Sequence, residues 1–121
     1  MGSWKLVRMY NENNMTFVSP PAYATRFAGI TFLSNGKFYG NTLNNNFTDG
    51  LYTLETNNKI QFISFSSTKV YEEEWGRNFT EVLLSCYFQS VSPCIQPAYV
   101  IKGNQLTISS VTSYDLIFEK E

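Results

Sequence analysis

The chain contains no histidine and only two cysteines, and charged residues make up 16% of its 121 positions. Each shortage removes a class of function. Without histidine, the usual general base of serine and cysteine hydrolases is missing, as is the commonest transition-metal ligand. Two cysteines are too few for a four-cysteine zinc site, and neither standard glycine-rich phosphate loop occurs. No two lysines or arginines are adjacent, and the 9 basic and 10 acidic residues give a net charge of -1. Nothing in such a chain displaces counterions from a phosphate backbone, which argues against nucleic-acid binding. No apolar run approaches the roughly 20 residues of a membrane-spanning helix, so the chain is not expected to cross a membrane. No cofactor and no metal are expected.

The few carboxylates do not form a convincing acid/base pair. Glu72, Glu73 and Glu74 are consecutive, so on a helix they point in different directions, whereas glycoside chemistry sets two carboxylates face to face about 5 to 9.5 Å apart. They read as a solvated first helical turn, stabilised by the positive end of the helix. Asp49, near Asn44, Asn45 and Asn46, offers one carboxylate, too few for a tight calcium site. Of the three N-x-T tripeptides, at Asn14, Asn46 and Asn78, none carries weight in a chain so rich in Asn, Ser and Thr. The chain is expected to be a non-enzyme.

Aromatic residues are abundant, at 17% of the chain. Beside many Asn, Ser and Thr residues they suit a β-rich fold with polar, uncharged loops. At this length one domain spanning residues 1–121 is expected, burying roughly two thirds of its unfolded surface. Trp4–Met9 alternates as a first strand. Asn11 to Pro21 reads as a break, since Ser19-Pro20-Pro21 cannot join a central ladder. From Ile30 to Phe65 the pattern is a meander: Ile30–Leu33, Lys37–Gly40, an Asn-rich loop, Leu51–Leu54 and Ile60–Phe65, with turns at Ser34-Asn35-Gly36 and Thr56–Lys59. Asn and Gly tolerate the positive φ of tight turns. Trp75, Phe79, Val82, Leu83 and Cys86 form the stripe of a helix from about Val70 to Phe88, started by Ser66-Ser67-Thr68 and ended at Ser92-Pro93. Ala98–Ile101, Gln105–Ser109 and Tyr114–Phe118 complete the sheet. The fold class is α+β, mostly β: a curved antiparallel sheet or partly open barrel of about 7–8 strands with one long helix packed on it. Trp4, Phe32, Phe38, Tyr52, Phe62, Trp75, Phe79, Leu83, Leu106 and Phe118 are the expected core.

Cys86 and Cys94 are a candidate disulfide, which fits an exported domain; the other reading makes Cys86 a small core residue. The candidate binding residues are Tyr39, Asn44, Asn45, Asn46, Phe47 and Tyr71, where the Asn-rich loop and the helix start are expected to meet at one rim. The composition fits export, with a signal segment absent from this chain; a cytoplasmic location is the alternative.

The sequence S-W-K-L, then I-T-F and N-G-K-F-Y-G-N-T-L-N-N-N-F with G-L-Y, then I-Q-F, S-S-T-K, F-T-E-V-L, Y-V-I-K-G-N-Q-L-T-I and L-I-F-E-K, resembles the META domain (HslJ-like) family over nearly the whole chain. The family commonly has G-C-N where this chain has Leu43-Asn44-Asn45 or Asn44-Asn45-Asn46. It has T-R-M-A-C where this chain has Thr68-Lys69-Val70-Tyr71-Glu72. Neither stretch holds a cysteine here, so no cysteine role carries over. The resemblance implies a small exported or lipid-anchored β-rich domain without established catalysis, acting by protein interaction in envelope stress, secretion or virulence. A second resemblance is to lipocalin-like and fatty-acid-binding barrels, through the G-x-W opening of Gly2-Ser3-Trp4; it implies a carrier of a small apolar ligand. A third reading is an inhibitor or adhesion accessory module presenting the Asn44–Asp49 loop or Pro20-Pro21. The partner is thus an unknown protein or a small apolar ligand, and a monomer is expected.

Overall fold

The computed structural model of the chain describes residues 1–88, 94–110 and 114–121. Nine strands form one antiparallel sheet: β1 (Gly2–Asn11), β2 (Thr16–Val18), β3 (Gly29–Phe32), β4 (Lys37–Asn41), β5 (Asn46–Glu55), β6 (Lys59–Ser67), β7 (Ala98–Lys102), β8 (Gln105–Ser109) and β9 (Asp115–Lys120). Among the described residues two helices, α1 (Glu74–Leu83) and the single turn α2 (Ser85–Phe88), lie between β6 and β7. β1 pairs with β3 along Gly2–Lys5 and with β9 from Trp4 to Tyr10, so the sheet closes into an eight-stranded barrel, with β2 as an extra strand beyond β1. The α+β, mostly β class holds, and the barrel is closed.

The turns follow the sequence chemistry. Gly36 has φ +80° in the β3–β4 hairpin, Asn57 and Asn58 have φ 62° and 57° between β5 and β6, and Gly103 has φ 58° between β7 and β8. These are conformations that Gly and Asn reach at low cost. The interior is one contiguous cluster, in which Trp4, Leu6, Phe32, Phe38, Phe47, Phe79, Leu106 and Phe118 are each at most 2% exposed. Phe62 packs against this cluster while only partly buried. Gly50 leaves the space that the Phe38 ring occupies: a Cβ there would lie 2.6 Å from the ring.

Two sequence expectations need correction. The stretch read as a break from Asn11 contains β2, whose Thr16, Phe17 and Val18 pair with Asn11, Tyr10 and Met9. Met15 takes a left-handed φ of 57° to close that hairpin, a conformation its residue type does not advertise. The helix also begins later than Val70. Glu73 is its cap, accepting 2.9 Å hydrogen bonds from the backbone N–H groups of Trp75 and Gly76. Ser66 and Ser67 belong to β6, and Thr68 is engaged with the β4–β5 loop, so none is free to cap. The helical stretch is interrupted at Leu84, with φ -101° and ψ 19°. Cys86, in α2, is bridged to Cys94. The Ser92-Pro93 stop lies outside the described residues.

The α1 stripe enters the barrel core rather than lying on the outside of the sheet. Phe79 meets Phe47 of β5 at 5.7 Å and Phe118 of β9 at 5.8 Å between ring centroids. Trp75, Val82 and Leu83 are buried with it.

The first three barrel strands coil tightly. A Cβ on Gly29 would lie 2.8 Å from the Trp4 carbonyl oxygen, and one on Gly40 would lie 2.4 Å from the Gly29 carbonyl oxygen. Both obstacles are backbone in paired strands, which cannot step aside as a side-chain end can. Gly40→Ala is therefore expected to destabilise the fold by about 1–3 kcal/mol, as overpacking does. Urea unfolding checks this, and an unchanged midpoint would show that the strands have room.

A second expectation concerns pH. Asp115, opposite Tyr10 of β1 and Ser109 of β8, has its carboxyl pKa raised. Burial is the main cause and the Glu12 carboxylate adds to it, while a hydrogen bond with Ser109 opposes. The folded state therefore holds this proton more tightly than the unfolded state. Ionised Asp115 penalises the fold at pH above its folded-state pKa, and the penalty fades as pH falls through that value toward the ordinary carboxylate range. Asp115→Asn should be more stable than the wild type at neutral pH, with the difference shrinking on acidification. A difference that is constant with pH, or reversed in sign, would refute the assignment.

Candidate functional site

The β4–β5 connection is built on a side-chain turn. The Thr42 N–H donates to the Asn45 carbonyl at 2.9 Å, and the Thr42 hydroxyl oxygen accepts from the backbone N–H of Asn45 at 3.0 Å. That hydroxyl in turn donates to Glu72 Oε1. The Asn45 side chain, 6% exposed, uses its full bonding capacity. Its Oδ1 accepts from the Thr68 hydroxyl and the Val70 N–H, each at 2.9 Å. Its Nδ2 donates to the Val70 carbonyl at 3.0 Å and to Glu72 Oε1 at 2.9 Å. Asn44 Nδ2 donates to the Tyr71 carbonyl at 3.1 Å. The loop thereby grips the extended segment Thr68–Glu73 and fixes where α1 begins.

Gly76 belongs to this arrangement. A Cβ there would lie 2.4 Å from Glu72 Cδ and Oε2. The glycine that weakens the helix lets the carboxylate lie against its first turn, near the positive end of the helix. Glu72 Oε2 is buried without a partner among the described residues.

A surface cleft of about 700 Å³ lies beside this knot. Its lining comes from Thr25–Phe27, from Thr31 and Tyr39 on the outer face of β3 and β4, from Asn41, Asn46 and Thr48, and from Glu121. Gly29 and Gly40, which permit the tight strand approach, contribute bare backbone to it. Tyr39 is 52% and Phe27 47% exposed, and Lys5 Nζ sits 4.9 Å from the centroid of the Phe27 ring. Arg26 is held by two carbonyls: its Nε donates to Leu43 at 2.9 Å and its Nη2 to Asn45 at 3.1 Å.

The six candidate residues thus have three different placements. Tyr39 and Asn46 line the cleft. Asn44 and Asn45 meet the backbone of Tyr71 and Val70 in the knot, and the exposed Tyr71 belongs to the segment they hold. Phe47 contributes to the cleft lining but is 1% exposed, with its side chain in the core and its ring 5.1 Å from Phe65. Arg26, Phe27 and Thr42 are not in that candidate set, and Glu72, read as part of a solvated first helical turn, instead precedes the helix with its carboxylate held by Thr42 and Asn45. Arg26 is the one cation between Pro21 and Ile30, which is the one available signal, and nothing local distinguishes Thr42.

The knot predicts an inversion of sign. In an exposed helix Gly→Ala gains about 1 kcal/mol. Here Gly76→Ala must displace a carboxylate fixed by two hydrogen bonds, worth roughly 1.5–3 kcal/mol each, so it should destabilise the fold. In a Glu72→Ala background the same change should stabilise it. Urea unfolding of the four proteins closes the cycle, and equal effects in both backgrounds would break the link between Glu72 and Gly76.

No protein-family model matches the chain, and no curated protein does. Two solved structures share its fold. One is the NMR structure of a protein from Burkholderia xenovorans, at 17% identity and TM-score 0.65, covering 99% of this chain and 81% of that one. The other is the crystal structure of a DUF4847 family protein from Bacteroides vulgatus, at 16% identity and TM-score 0.64, covering 99% and 92%. The likeness is one of fold alone.

Proposed function

We propose that this chain is a non-catalytic binding module, of an exported META-like type, that takes a small organic ligand in the cleft beside Tyr39. The observation that carries this reading is the contrast between outside and inside. The cleft falls within the 300–1,000 Å³ usual for ligand pockets and has exposed aromatic walls with a few polar groups. The barrel interior is occupied by the side chains of the core cluster. Among the described residues lining the cleft, the charged ones are Arg26 and Glu121, and the chain has no histidine, which suits recognition better than bond-breaking. The Cys86–Cys94 bridge supports an oxidising compartment, and so export. The barrel architecture favours a second reading, a carrier with an apolar ligand among the interior side chains.

A fragment screen by NMR amide shifts separates the two. Under the cleft reading, hits move the signals of Thr25–Phe27, Thr31, Tyr39–Asn41 and Asn46–Thr48. Tyr39→Ala should weaken them by about tenfold, as loss of a stacking aromatic does. Hits that move Phe32, Leu106 and Phe118 instead, and survive Tyr39→Ala, would replace the cleft reading with the carrier.

A further inference from the structure

We infer that the cleft selects an anionic ligand, a carboxylate carried on a flat apolar group, with the Arg26 guanidinium as its anchor. This rests on the cleft reading and goes beyond it, because it assigns the sign of the ligand's charge and the residue that reads it. Arg26 spends its Nε and one Nη2 hydrogen on the carbonyls of Leu43 and Asn45. A guanidinium has five N–H donors in a rigid fork, so three remain. Two of these, one on Nη1 and one on Nη2, are parallel along the outer edge and match the two oxygens of a carboxylate.

The two carbonyls fix the plane of the group but do not neutralise it. Both of its described polar contacts are to neutral acceptors, so among the described residues no carboxylate balances the charge. A fixed cation at a cleft wall, with one edge tied to the fold and one edge open, recognises an anion with little loss of side-chain freedom. Lys5, held over the Phe27 ring, adds a second positive charge near the same wall. The aromatic walls, Phe27 and Tyr39, set the other half of the ligand: a planar apolar body stacks there while its carboxylate reaches Arg26. Glu121 is the opposing charge in the cleft lining.

The test compares benzoate with benzamide, which has the same shape and no charge. Each is titrated into the ¹⁵N-labelled chain at low salt while the cleft amides and the Arg26 Nε–H signal are followed. Benzoate is expected to bind at least about tenfold more tightly than benzamide, with the advantage shrinking as salt is added. Arg26→Gln should reduce benzoate to the level of benzamide. Arg26→Lys, which keeps the charge and loses the fork, should fall between. Glu121→Gln should tighten benzoate and leave benzamide unchanged, as removal of a like charge from the cleft lining does. If the two probes bind the cleft equally, the anion assignment is overturned and the cleft reading stands. If neither moves the cleft signals, both fall. Should Arg26→Gln fail to fold, the wild-type comparison of the two probes still decides.

Discussion

Phe79 is the point at which barrel and helix become one structure. Its ring lies between Phe47 on β5 and Phe118 on β9, so the helix is part of the core. The barrel needs this because its wall is uneven. β6 and β7 share a single register pair, Lys59 with Ala98, reinforced by the Ile60 N–H bond to the Pro97 carbonyl at 2.9 Å. By contrast β5 and β6 are paired from Phe47–Ser67 to Glu55–Lys59, and β7 and β8 along five residue pairs. Where strand pairing is short, side-chain packing must supply what the ladder does not. Phe79 supplies part of that packing across the core, against β5 and β9, from the segment that connects β6 and β7.

A helix can fill that role only if its start is fixed, and this explains why a polar knot sits beside an aromatic core. The Asn45 carboxamide satisfies the backbone of Val70 and the hydroxyl of Thr68, while Thr42 and Asn45 together hold Glu72. Buried polar groups of this kind are costly when half satisfied and strongly directional when complete. The knot is complete on the Oε1 side of Glu72, and Gly76 supplies the space for the other oxygen. Loop, linker and helix cap are one device, and its output is the position of Phe79.

Much of this was legible in the sequence, but unevenly. The alternation of Ile30–Phe65, the Asn and Gly turns and the Trp75–Leu83 stripe each reflect a local rule of period or φ, and local rules are read from local residues. What escaped was non-local. Closure of the barrel depends on β1 meeting β9, more than a hundred residues away. The burial of Asn45 depends on a segment some 25 residues downstream. Phe47 looked like a loop aromatic because irregular pairing around Asp49, at φ 55°, breaks the alternation that relates it to Tyr52. Gly76 has by residue type alone only a cost to the helix, because its reason is the carboxylate of a residue one turn away and outside the helix.

The same reasoning explains how stability and recognition divide in this fold. An eight-stranded barrel has an interior about wide enough for its own side chains, and here Trp4, five phenylalanines and the aliphatic residues around them occupy it. Concavity has to arise outside, and it arises where β1, β3 and β4 coil so closely that positions 29 and 40 accept no side chain. Missing side chains on neighbouring strands leave a hollow flanked by the outward residues that remain, Thr31 and Tyr39, and by the preceding segment with Arg26 and Phe27. Arg26 then joins the two halves of the architecture. One edge of its guanidinium closes the β4–β5 loop that carries the knot, and the group lines the hollow beside it. Ordering a long, flexible side chain is a cost normally borne at the moment of binding. Here two carbonyl acceptors already hold the exposed Arg26 side chain before any ligand arrives, which lowers that cost.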